Sequence, residues 1–116
     1  MYSFYERKCW NSNKYLSLLL PADVAQLQEL NRKLAVIQCS EATLIQIELV
    51  FFDLLNILRA NSQHEVINDL LGQLKSVHEH KYKDAQAKHL TPRNLLLNIK
   101  RFKNAVRSVL LQVLFG

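Results

Sequence analysis

The sequence predicts an all-α fold, a bundle of four or five helices, and three observations predict it. Only two glycines and two prolines occur among the 116 residues, so the tight turns of an all-β domain have almost no residues to build them. Apolar residues recur at spacings of three and four, the period of a helix with one buried face. Helix-start signals fall between those stretches.

Pro21 suits the first position of a helix, where its missing N–H costs nothing. Behind it Val24, Leu27, Leu30, Leu34 and Ile37 line one face. Ser40 reads as the N-cap of a second helix running to about Arg59. Here Leu44, Ile45, Ile47, Leu49, Val50, Phe51, Phe52, Leu54, Leu55, Ile57 and Leu58 surround the axis, with Glu48 and Asp53 as the interior charges. A helix that is apolar nearly all round belongs at the centre of a bundle or in an interface. Phe51 and Phe52 are its candidate contacts with a partner.

Ala60-Asn61-Ser62 breaks the pattern, and Ser62 with Glu65 has the spacing of a capping box. The third helix carries Val66, Ile67, Leu70, Leu71, Leu74 and Val77 on one face. Residues 79–90 are polar and read as a frayed end followed by a loop. Thr91-Pro92 then starts a last helix, with Thr91 as N-cap. Its seam of Leu95, Ile99, Phe102, Val106, Val109 and Val113 alternates at four and three. Tyr2 to Leu19 supplies a further helix, interrupted by Asn11-Ser12-Asn13.

With 49% hydrophobic and 22% charged residues the composition is globular, and the length suits one domain, residues 1–116, around one modest core. The charge is uneven. Residues 1–74 hold six Lys/Arg against eight Asp/Glu, a net of −2, while residues 75–116 hold nine against two, a net of +7. A basic half of this kind suits nucleic acid, an acidic protein surface or glycosaminoglycan, or is a solvated face that keeps the protein soluble. No stretch of about 20 residues lacks charge, so no membrane insertion is expected. Tyr15 to Leu20 is a short apolar run behind a long polar segment and ends at Pro21, which does not read as a signal peptide. The chain therefore reads as cytosolic or nuclear, or as secreted after removal of a signal. Cys9 and Cys39 form one bridge worth about 3 kcal/mol if the protein is secreted, and stay free thiols in a reducing compartment.

No catalytic constellation is legible, and no enzyme activity or cofactor is expected. Gly-rich phosphate loops are absent, since Gly72 and Gly116 are the only glycines. His78-Glu79-His80, with His89 beyond, has metal-ligand residue types, but histidines two apart point to different sides of a helix, and no metal site is expected. Neither Cys9 nor Cys39 has the neighbours of an activated nucleophile. Arg93, Lys100, Lys103 and Arg107 share one flank of the last helix at intervals of seven, three and four, the spacing of a stripe that tracks phosphates or meets an acidic partner. Aromatic residues that would stack on bases are not interleaved with it, because Phe102 belongs to the seam.

Ile99-Lys100-Arg101-Phe102, followed by Val106 and Val109-Leu110, resembles the penultimate helix of the type I interferons. Leu20-Pro21-Ala22-Asp23-Val24 with Leu27-Gln28 is similar to the stretch that family carries before its second helix. Ile47 to Leu58 looks like the apolar second helix, and Glu65 to Val77 resembles the third. Order and spacing hold over about residues 20–110. The resemblance implies a secreted helical cytokine that engages a cell-surface receptor through helix faces, with the Arg101 region carried over. The family's final helix, with its cysteine and tryptophan, has no counterpart in these residues, and Cys9 and Cys39 do not sit where its disulfides would place them. The alternatives are an intracellular module that captures a partner's helix or forms a homodimer, and a nucleic-acid binder acting through the basic stripe.

Overall fold

A computed structural model describes residues 14–86 and 91–116, and among these residues the fold is all-helical. The elements are α1 (Pro21–Val36), α2 (Leu44–Ala60), α3 (Glu65–Val77), a π turn (His78–Tyr82) that runs into the short α4 (Lys83–Ala85), and α5 (Pro92–Phe115). Single 3₁₀ turns at Leu16–Leu18 and Glu41–Thr43 precede α1 and α2. The expected N-terminal helix falls mostly on residues 1–13, outside the described residues; its last residues form the first 3₁₀ turn, with Leu19 buried.

The predicted seams make the core. Leu27, Leu30 and Leu34 of α1, Ile67, Leu70, Leu71 and Leu74 of α3, and Ile99, Phe102, Val106, Val109 and Val113 of α5 are all buried. With seven buried residues of α2 they form one continuous cluster. Each of α1 and α3 packs against both α2 and α5, and α2 meets α5 across the diagonal. Short connections at residues 37–40 and 61–64 make successive rods antiparallel. A hydrogen bond from Asn61 Nδ2, at the end of α2, to Asp23 Oδ2 (3.4 Å), near the start of α1, marks that alternation.

The caps differ in part from those expected. Thr91 Oγ1 accepts from the Asn94 N–H at 3.3 Å, so α5 starts as predicted. Before α2, Thr43 Oγ1 accepts from the Ser40 N–H (2.9 Å) and donates to the Ser40 carbonyl (2.8 Å), which closes the 3₁₀ turn between Ser40 and the helix. The Ser62–Glu65 capping box does not form as the start of α3. His64 is the N-cap, and Glu65 stands at the first helical position instead of the third. The chain spends residues 61–63 turning, with the Ser62 N–H bonded to the Arg59 carbonyl (3.3 Å) and the His64 N–H to the Asn61 carbonyl (3.2 Å). Glu65 still lies where the helix dipole favours a carboxylate.

The larger correction concerns residues 79–86, expected as a frayed end and loop. They continue the third rod through the π turn and α4. A π turn holds one residue more than an α turn. That extra residue brings Tyr82, rather than Lys81, round to face α5, and Ala85 beyond it is fully buried. Two inward contacts hold the polar stretch in a helix, and composition averaged over the stretch hides them.

Candidate functional site

The solvent side of α2 carries apolar groups where a solvated helix carries polar ones. Ile45, Leu49 and Phe52, at intervals of four and three, are 68%, 60% and 40% exposed. Helical geometry places them along the line opposite Ile47, Leu54 and Leu58, all of which are fully buried. Asn56 continues that line and is exposed. Beside it a cleft of about 430 Å³ opens between α1 and α2, lined by Lys33, Val36, Ile37, Gln46, Leu49, Val50 and Asp53. Val36 at its edge is itself exposed. The surplus apolar surface of α2 is therefore gathered on one strip with a cleft at its side.

The two phenylalanines expected as partner contacts divide. Phe52 lies on the strip. Phe51 does not: it is buried at 2% exposure, because it faces the centre of the bundle one residue earlier on the helix. Phe51 belongs to a ring of four aromatic side chains. His78 stacks on Phe51 (4.8 Å between centroids, 22°) and on Tyr82 (4.6 Å, 16°). Tyr82 in turn contacts Phe102 (5.3 Å), and Phe102 returns to Phe51 (6.2 Å). His78, which the sequence offers only as part of the His78-Glu79-His80 cluster, sits half-buried in this ring. Its Nε2 is buried with no hydrogen-bond partner, 3.8 Å from Glu48 Oε2.

Burial, and then the Glu48 carboxylate beside it, hold the Tyr82 phenol above its ordinary pKa, against a smaller opposing effect of Gln86, whose Nε2 donates to the phenol oxygen at 3.0 Å. The folded state thus keeps the Tyr82 proton where the unfolded chain has lost it. Stability contributed by this group is full below about pH 10 and is lost as pH rises through the folded pKa. Spectrophotometric titration of the tyrosines is expected to show one group above the ordinary range that moves down on Glu48→Gln; an unmoved titration would contradict this assignment.

The basic stripe of α5 is brought together as expected, with one member diverted. Arg93, Lys100 and Arg107 are exposed on one flank, and Arg101 is exposed outside that line. Lys103 is half-buried, and its Nζ donates to the Ile37 carbonyl at 2.7 Å. It thereby caps the C-terminal end of α1, where backbone carbonyls lack helical partners and the dipole favours a cation. Periodicity shows that Lys103 shares the stripe but not that α1 ends beneath it.

Cys39 is half-buried and has no disulfide partner among the described residues; Cys9 and His89 lie outside them. No group of three or more His, Cys, Asp or Glu among the described residues is placed to hold a metal ion. No helix among them is long and apolar enough to cross a membrane. In comparisons with known proteins, no family model, no curated protein and no solved structure matches the chain.

Proposed function

We propose that the protein is a non-catalytic binding protein that engages a protein partner through the outward face of α2. One observation carries the reading: Ile45, Leu49 and Phe52 stand 68%, 60% and 40% exposed along a single helical line. Full burial of a side chain of this size is worth about 1.5–3 kcal/mol, and this fold forgoes part of it at each of the three positions, least at Phe52. Covering them with a partner recovers part of it, as in helix-face recognition. The receptor-ligand form of this reading rests on the interferon resemblance, and the intracellular form on the apolar surface of α2 together with the net +7 of residues 75–116. The state of Cys9 and Cys39 in protein from its native source separates them: a bridge places the protein outside the cytosol, and two free thiols place it inside.

A photo-crosslinking amino acid at position 49, compared with the same group at exposed position 28 of α1, tests the reading on cells and on cell extracts. A discrete adduct is expected from position 49 only, and it is expected to vanish when Ile45→Glu is added. An adduct between two copies of this chain would make the partner a homodimer. Equal labelling from positions 49 and 28 would overturn the proposal.

A further inference from the structure

The outward face of α5 has a composition of its own. From Ala85 to Gly116 the sequence contains no aspartate or glutamate. Arg93, Lys100 and Arg107 recur every seven residues, so they form a nearly straight line of cations about 10.5 Å apart. None of the three has a carboxylate partner among the described residues. Next to that line runs another, Leu97, Asn104 and Leu111, with Phe115 at its end. Leu97 is 44% and Phe115 74% exposed, Asn104 is exposed and Leu111 half-buried. A concavity along the C-terminal half of α5 includes Asn104, Arg107, Leu111 and Phe115.

We propose that this face is a second docking surface, and that its occupant is an amphipathic helical segment of a partner protein bearing carboxylates at seven-residue intervals beside an apolar line. Charge complementarity selects the acidic side of that segment. The interval is the one at which a second helix laid along α5 presents its own side chains, so three ion pairs form without bending either helix. The neighbouring line of Leu97, Leu111 and Phe115 takes the apolar side. A nucleic acid or an anionic lipid surface would satisfy the cations too. Base stacking needs aromatic groups among the cations, and the single exposed aromatic residue here stands at the end of the helix. The α5 face lies across the bundle diagonal from the α2 strip, so this inference does not depend on the reading of α2.

The test uses the full chain and a synthetic three-heptad peptide with glutamate on one heptad line and leucine on the next, followed by fluorescence anisotropy. Binding is expected to weaken with added salt. The triple variant Arg93→Glu, Lys100→Glu, Arg107→Glu is expected to lower affinity by about tenfold to a hundredfold, the yield of three exposed ion pairs. Ile45→Glu with Leu49→Glu is expected to leave it unchanged. A second peptide, with the leucines replaced by glutamine, is expected to bind the unaltered protein at least tenfold more weakly, and this arm does not require the triple variant to fold. Equal binding of the two peptides, no binding of the first, or tighter binding of a DNA duplex or a phosphatidylserine vesicle would overturn the proposal.

Discussion

Replacing Phe102 by alanine is expected to cost about 3–5 kcal/mol, the range for truncating a buried aromatic side chain. Phe102 is fully buried in α5 and touches two of the other three rods through its ring, Phe51 on α2 and Tyr82 on the π turn. Truncation removes the apolar contact and leaves a cavity bordered by two aromatic groups, Phe51 and Tyr82, each held in place by its stacking on His78. Those neighbours have little room to collapse inward, which places the cost at the upper end of the range. Domains of this size are stable by about 5–15 kcal/mol in total, so a urea melt of Phe102→Ala should show the midpoint falling by a large fraction of its value. A midpoint shift equivalent to under about 1 kcal/mol would mean that the aromatic ring is not packed as described.

The second large effect is a contrast within one helix. Leu54→Ala is expected to cost about 2–5 kcal/mol, since Leu54 is fully buried. Leu49→Ala, five residues earlier and 60% exposed, is expected to change stability by no more than about 0.5 kcal/mol. Thermal or urea unfolding of the two variants side by side measures the difference directly. The contrast separates the two uses of the apolar surface of α2, core and surplus, without any knowledge of a partner. If both variants lost stability equally, the strip of Ile45, Leu49 and Phe52 would be part of the fold, and the proposed docking face on α2 would lose its basis.

Much of this architecture is legible in the sequence because helical periodicity is a local signal. The seams of α1, α3 and α5 can be read from spacing, and the apolar residues at those positions are buried or half-buried. Two kinds of information are not local. The first is direction around an axis that is apolar on all sides: Phe51 and Phe52 look alike in the sequence, and only the placement of neighbouring rods sends one inward and the other out. A helical wheel separates them only once Ile47, Leu54 and Leu58 are known to face inward. The second is the effect of a single inserted residue. His78 to Tyr82 are polar enough to read as a loop, and only the partners on α2 and α5 show why the helix persists. Lys103 belongs to the same class, since its acceptor lies on a different rod. The expected cytokine relationship and the expected binding role of the basic stripe concern partners, which spacing within one chain does not contain.

The π turn has a consequence for how this chain can vary in length. An ordinary α-helix cannot shed one residue in mid-course without rotating everything beyond it by about 100° and scrambling both faces. The third rod already carries one residue in excess at His78–Tyr82. Shedding one there, at exposed Lys81 for instance, would leave a plain α-helix with Tyr82 and Ala85 still directed at the partners they have now. Single-residue gaps and insertions among relatives of this chain should therefore collect in that short stretch rather than along the rest of α3.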